Sequence, residues 1–323
     1  MRKNAFLFFK ITLLLLIFVW IFKSVNINET LKALSKTNPI IFFWAFLLNN
    51  SSNIFLTIKW HRLASPLKIK SSFLELLKLN YISVFYSIFV PGQASGELIK
   101  GIKLAKKEEA TQKVWVPIVI DKITNLLVVF LIGLLAILSD KTFNQNRNLL
   151  LIVTLCTALL GFITIVLFSE HTNNLIGFFK ELLIKFLRLF KINTKLIDNF
   201  SLNYFENYKK HNFLLFETLF WSFAIKIPHI FTFYLLALSL NINLNLIESA
   251  WLFSIVSIAS ILPISFSGLG IREGTIIVLL SQVGIETSVA LSLSMLIFTI
   301  GILTGLIGGV LEVFSGFYSK QKQ

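Results

Sequence analysis

A charged pair behind a glycine-rich turn is the first feature of the sequence that could do chemistry. Arg272 and Glu273 follow Gly268 and Gly270 and precede an apolar stretch that begins at Thr275. A helix that starts here would direct its free N–H groups and the positive end of its dipole towards the turn. With an arginine beside it, such a helix start suits a phosphate or another anionic group. The sequence therefore predicts an anion site at this turn.

The first half of the chain carries a comparable group of charges. Glu97 and Lys100 follow Gly96, much as Arg272 and Glu273 follow Gly270. Charges at membrane depth are energetically costly, so their presence favours a functional role. A structural role stays open, in which Arg272 pairs with Glu273 or Glu97 and only holds the two segments together.

Two further charges lie inside apolar stretches. The carboxylate of Asp121 could neutralise a basic residue across a helix bundle or relay a proton, and the pairing role is favoured. The candidate partners are Lys59, Arg62 and Lys100. Lys226 could extend to the membrane surface or line a polar cavity, and both possibilities are open.

Membrane-spanning helices are the elements that must position these charges. Hydrophobic residues make up 55% of the 323 residues and charged residues only 14%. A soluble domain with so few charges could not cover this much apolar surface. Six apolar runs approach or exceed the ~20 residues that span a ~30 Å hydrocarbon core, and they can satisfy their backbone groups only as helices. These runs are 11–22, 39–58, 114–138, 149–168, 213–240 and 289–314. The predicted fold is an all-α polytopic membrane protein with a single transmembrane domain over 1–323.

The net charge of +14 indicates membrane topology rather than nucleic-acid binding. Basic residues cluster at 59–78, 100–113 and 180–210, and lysine and arginine mark cytoplasmic loops. We therefore expect a multi-pass protein of the cytoplasmic (inner) membrane with both termini in the cytoplasm. The single cysteine, Cys156, excludes an internal disulfide, and the four histidines are dispersed. No metal site and no cofactor are expected.

A central polar segment divides the chain into a first half, 1–170, and a second half, 212–323. In the linker, 171–211, apolar and basic residues fall on opposite sides of a helix. Such a helix could lie in the cytoplasmic interface against anionic lipid, or pack on the protein's own cytoplasmic face.

Each half contains one interrupted apolar run, at 85–100 and 260–274. In both, a proline is followed five residues later by a glycine, Pro91 to Gly96 and Pro263 to Gly268. Proline ends a helix and glycine permits a turn. Paired interruptions in two halves are typical of transporters with a binding site at the membrane midplane. The pattern predicts a broken or re-entrant helical hairpin in each half, entering from opposite sides as an inverted repeat; two ordinary loops are the alternative.

Other sequence features concern packing and catalysis. Gly301, Gly305 and Gly309 recur every four residues, which predicts a close approach of another helix. No G-x-S-x-G, P-loop or H-E-x-x-H pattern occurs. The sequence predicts neither an enzyme of those classes nor an ATP-driven pump.

Both interrupted segments carry a resemblance to a known family. The stretches 89–100, FVPGQASGELIK, and 262–274, LPISFSGLGIREG, together with Lys59-Trp60 and Asp121-Lys122, resemble the transmembrane region of lysylphosphatidylglycerol synthases. This region also occurs alone as a flippase-like membrane protein. The resemblance implies movement of a lipid, such as an aminoacylated phosphatidylglycerol, between leaflets. It also implies that the chain is not itself a lysyltransferase, because the soluble aminoacyl-transferase domain is expected to be missing.

The leading hypothesis is a lipid flippase or transporter for an anionic or aminoacylated phospholipid or a lipid-linked precursor. The helix start at 270–273, with Arg272 and Glu273, would hold the phosphate of an anionic head group. Glu97 and Lys100 would complete the polar lining, and Asp121 would balance charge. One alternative is a non-catalytic membrane subunit that presents a lipid to a lipid- or glycan-modifying enzyme. A weaker one is a membrane-embedded transferase with Glu97 or Glu273 as base.

Overall fold

The computed structural model describes residues 27–89, 95–107, 111–140, 147–168, 207–208, 212–261 and 268–320. These residues form α-helices joined by short connections, with one 3₁₀ turn at Ser65–Leu67. The helices are α1 (Ile27–Ser35), α2 (Pro39–Ala64), α3 (Phe73–Phe89), α4 (Ser95–Ala105), α5 (Thr111–Ser139), α6 (Arg147–Phe168), α7 (Asn212–Ser239), α8 (Leu246–Ile261), α9 (Ile271–Gln282) and α10 (Thr287–Lys320).

Long apolar helices confirm the predicted all-α membrane protein. Within the described ranges, four segments are long and apolar enough to cross a bilayer: Pro39–Leu67, Lys113–Ser139, Phe213–Ser239 and Thr287–Phe314. Each coincides with an apolar run of the sequence. Two further apolar stretches, Leu150–Val166 and Leu246–Ile261, are shorter. Large apolar side chains such as Leu155 and Phe220 are exposed along these helices, as expected of surfaces that face lipid.

Helices α2 and α7 run antiparallel through the centre of the molecule. The N–H of Asn38 donates to the carbonyl of Ser239 (3.3 Å) at one end. The ring of Phe55 stacks on that of Trp221, and Arg62 donates to Glu217 (2.8 Å) near the other end. The partner number falls as the number along α2 rises, which is the mark of an antiparallel pair.

The two halves repeat one order of helix lengths. A long helix is followed by two short ones and a second long one, first in α2 to α5 and then in α7 to α10. The packing repeats as well, since α3 lies against α10 while α8 lies against α5. Exchanging the two halves leaves this pattern unchanged. The two halves thus share one order of helices and one packing pattern, while the inverted repeat and its re-entrant hairpins stay predictions.

Two apolar clusters lie at opposite ends of the central pair. One contains Ala45 of α2 and Leu236 of α7, together with buried residues of α5, α8, α9 and α10. The other contains Trp60 of α2 and Leu214 of α7, together with residues of α3, α4 and α5. The middle of α2 and α7, between the clusters, is where polar side chains concentrate.

Glycines let α10 approach α3 closely. A Cβ on Gly308 would overlap the carbonyl oxygen of Tyr81, and one on Gly309 would lie 2.9 Å from the ring of Phe85. Gly305 also faces α3, but Gly301 has no neighbour within 4 Å in the part of the chain described here. The predicted close approach is therefore confirmed at Gly305 and Gly309 and not at Gly301, and Gly308 adds the closest contact.

Several predictions fall on other parts of the chain. The first apolar run, 11–22, the middle of each interrupted segment, 90–94 and 262–267, and almost all of the linker 171–211 lie outside the described residues. In the linker only 207–208 are described. The buried hydroxyl of Tyr208 donates to the carbonyl of Leu63 (2.5 Å), which fixes this point against the end of α2. Burial raises the pKa of Tyr208 well above its ordinary value.

Candidate functional site: a central polar cavity

A cavity of about 470 Å³ lies among the helices of both halves. Its walls come from the end of α3, the start of α4, the end of α8, the start of α9 and the middle of α2, α5, α7 and α10. Apolar residues such as Phe233 and Val256 share the walls with polar ones. The polar lining comprises Asn49, Ser87, Glu97, Lys122, Asn125, Lys226, His229, Thr232, Ser257, Ser260 and Arg272.

The glycine-rich turn before α9 orients Arg272 at the cavity wall. Gly268 and Gly270 have φ angles of 78° and 83°, a backbone region that side chains with a Cβ rarely adopt. The N–H of Gly270 donates to the Glu273 carboxylate (2.5 Å), which occupies the first turn of α9. This helix start is therefore capped by the chain's own carboxylate.

Arg272 is held by neighbours on two helices. It forms an ion pair with Glu273, and its Nε donates to the hydroxyl of Ser294 on α10 (3.3 Å). Its guanidinium carbon lies 5.0 Å from the centre of the Phe298 ring, a cation–π distance. The pairing with Glu273 is one of the structural possibilities raised by the sequence. It leaves Arg272 part of the cavity wall.

A second ion pair joins α4 to α5 at the cavity. The ammonium of Lys122 lies 2.9 Å from the carboxylate of Glu97, and both side chains are partly exposed. Gly96 precedes Glu97 where α4 crosses α3, and a Cβ there would overlap the carbonyl oxygen of Ser83. The close crossing sets the position of Glu97.

Lys226 contributes a charge to the cavity without an ion-pair partner. It lies halfway along the Phe213–Ser239 span and lines the cavity. In the described ranges, no carboxylate lies within ion-pair distance and no hydrogen bond holds its ammonium. One turn further along α7, His229 Nδ1 lies 3.0 Å from Asn49 Oδ1, and the His229 ring stacks on Phe253.

Lys100 and Asp121 belong to a buried network behind the cavity. Asp121 lies 2.7 Å from the ammonium of Lys59, and its other oxygen accepts from the indole N–H of Trp60 (3.3 Å). Lys100 donates to Asn80 Oδ1 (2.5 Å), and its ammonium lies 3.5 Å from the centre of the Trp60 ring. Among the three possible partners of Asp121, the structure selects Lys59 as the direct one.

The structure brings some of the predicted site residues together and separates others. Glu97 and Arg272 line the cavity. The turn at Gly268 and Gly270 and the Glu273 carboxylate do not line it and instead fix the position of Arg272. The two remaining residues, Lys100 and Asp121, lie in the buried network.

Two cavity residues were not predicted as site residues from the sequence: Lys122 was not assigned to the site, and the role of Lys226 was left open between the membrane surface and a cavity. Lys122 and Asp121 are consecutive on α5, so their side chains point about 100° apart and reach different surroundings. A lysine at the centre of an apolar run was the available signal for Lys226.

Comparison with known proteins gives a consistent assignment. Residues 7–309 match the family model described as the lysylphosphatidylglycerol synthase TM region. The chain is 25% identical over 332 residues to the UPF0104 membrane protein PH1989 of Pyrococcus horikoshii, with 96% of each chain covered. No solved structure matches with significance. Because the family model spans nearly the whole chain, this protein belongs to the family of the lysylphosphatidylglycerol synthase transmembrane region.

Proposed function

We propose that this protein is a lipid transporter that moves an anionic phospholipid or a lipid-linked precursor between the two leaflets of the cytoplasmic membrane. Membership of a lipid-related membrane family supports this role. The head group would occupy the central cavity, and the acyl chains would stay among the apolar surfaces of the surrounding helices. No catalytic step is part of the proposal.

One observation carries the proposal: charged side chains from both halves line a single cavity at the middle of the bundle. Lys122 and Glu97 come from the first half, and Lys226 and Arg272 from the second. Ionisable groups within membrane spans mark substrate or ion pathways, because burying them in lipid without a role is costly. A binding site between two repeats is also the arrangement of many transporters.

The direction of the short helices adds support. Helix α3 follows the end of α2 and runs towards the cavity, whereas α8 follows the end of α7, which lies at the opposite end of the antiparallel pair. Their far ends, at Ser87 and Ser260, line the same cavity. This favours two hairpins that enter from opposite sides. The basic residues near the α2 end, such as Arg62 and Lys107, favour the cytoplasm for that side.

The predicted site residues take different roles in this proposal. Arg272 and Glu97 contact the head group, and Glu273, with the turn at Gly268 and Gly270, fixes the position of Arg272. Lys100 and Asp121 hold α4 and α5 in place beside the cavity. The proposed partner is thus a membrane lipid with an anionic head group.

Transbilayer movement of fluorescent anionic phospholipid in proteoliposomes tests the function. We expect the wild type to accelerate movement and Arg272→Ala to slow it by about tenfold or more, as for loss of a charge-assisted contact. Arg272→Lys, which keeps the charge, should retain part of the rate. The control is Lys106→Gln, at an exposed lysine directly after the end of α4. Its rate of lipid movement should equal that of the wild type.

Absence of movement by folded wild-type protein would contradict the proposal. It would favour a subunit that presents lipid to a modifying enzyme, for which binding without movement is sufficient.

A further inference from the structure

The charges around the central cavity do not balance, and the excess is positive. Glu97 neutralises Lys122, and Glu273 neutralises Arg272. Lys226 lines the same cavity with no such partner in the described part of the chain. The cavity and its ion pairs therefore carry one uncompensated positive charge.

The network behind the cavity adds to this excess rather than reducing it. Lys59 and Lys100 are buried there with one carboxylate, that of Asp121. Lys100 donates to Asn80 and lies over the face of Trp60, and among the described residues no carboxylate lies within ion-pair distance of its ammonium. A ligand in the cavity thus experiences a positive field from this side as well.

Position makes Lys226 the group that a ligand can neutralise. Lys226 lies halfway along its span, so its side chain does not easily reach either end of the helix. Pro228, two residues further along the same helix, has no backbone N–H to donate. Arg272 and Lys122 are already paired with carboxylates. An ammonium is a compact point charge, which suits one oxygen of a phosphate.

We infer that Lys226 binds the phosphate of the transported lipid and makes the cavity selective for head groups that carry a phosphate without a cationic group. This inference rests on the proposed function and names the substrate class of the same site. A phosphodiester without a cationic group neutralises Lys226. A zwitterionic head group brings its own cation and leaves the excess positive charge uncompensated in a medium of low dielectric.

Lipid binding by the purified protein in detergent tests the inference separately from movement. Phosphatidylglycerol, phosphatidylcholine and soluble glycerol phosphate are titrated against wild type, Lys226→Gln and the control Lys106→Gln. We expect the wild type to prefer phosphatidylglycerol to phosphatidylcholine by about tenfold or more, and Lys226→Gln to lose that preference. Lys226→Arg, which keeps the charge, should retain it and guards against a general folding defect.

The outcomes separate the two proposals. Equal preference in wild type and folded Lys226→Gln overturns the role of Lys226, even if the wild type moves lipid. Lys226-dependent preference without any movement in proteoliposomes leaves the site in place and overturns the transport function. Binding of glycerol phosphate as tight as that of phosphatidylglycerol overturns the lipid as ligand and assigns the site to a soluble phosphate.

Discussion

The Asp121 carboxylate contacts three neighbouring side chains. It accepts from the indole of Trp60 and from the amide of Asn125 (2.9 Å), and it balances the ammonium of Lys59. The Lys59 side chain is fully buried, so its charge depends on this carboxylate. Thr124 supplies a further oxygen to Lys59 at 3.0 Å. The group ties α2 to α5 beside the cavity wall.

Asp121→Asn should destabilise the folded protein by roughly 3–5 kcal/mol, because it leaves a buried lysine without its counter-charge. Unfolding in detergent, followed by circular dichroism against denaturant, measures this loss. The double variant Lys59→Met/Asp121→Leu removes both charges and should recover most of it. A single variant within about 1 kcal/mol of the wild type would show that the pair contributes little.

Individual charges were predictable from the sequence only in part. The position of Asp121 inside an apolar run indicated a pairing role, and the structure confirms pairing with Lys59. For Arg272 the sequence left two candidate partners open, Glu273 and Glu97, and the structure shows the pairing with Glu273. The substrate role of these residues stays a prediction.

Helix α10 packs on α3 through glycine rather than through large side chains. Because the Tyr81 carbonyl lies where a Gly308 Cβ would be, any side chain there must push the helices apart. At the same contact, Glu312 of α10 accepts from Tyr86 (3.1 Å) and pairs with Lys103 of α4 (2.7 Å). The glycines and this polar cluster together fix α3 and α4 against α10.

Gly308→Ala and Gly301→Ala form a matched pair in the same helix. We expect Gly308→Ala to destabilise the protein by about 1–3 kcal/mol through overpacking. Gly301→Ala should be neutral or stabilising by up to about 1 kcal/mol, because its Cβ would meet no other described helix within 4 Å and alanine favours helix. Thermal unfolding in detergent compares them. Equal effects of the two variants would contradict the close packing of α10 on α3.

For the whole molecule, hydropathy predicted the long helices but could not predict the contacts between them. The four long spans match four apolar runs because bilayer thickness and backbone hydrogen bonding leave little choice. Of the predicted glycine face, Gly305 and Gly309 contact α3 and Gly301 does not, since glycine spacing alone does not identify which glycine meets the neighbouring helix. The cavity could not be predicted, because residues that line it, such as Asn49 and Lys226, are far apart in the sequence and belong to no local motif.

Transport of a lipid head group requires that the central cavity open to each side of the membrane in turn. Ser257 lines the cavity and is partly exposed, so a cysteine there can report access. The measurement is labelling of Ser257→Cys, in a Cys156→Ala background, by a membrane-impermeant thiol reagent added to one side of the membrane at a time. We predict labelling from both sides, and protection by anionic phospholipid. Labelling from a single side only, in folded protein that binds lipid, would contradict a transporter.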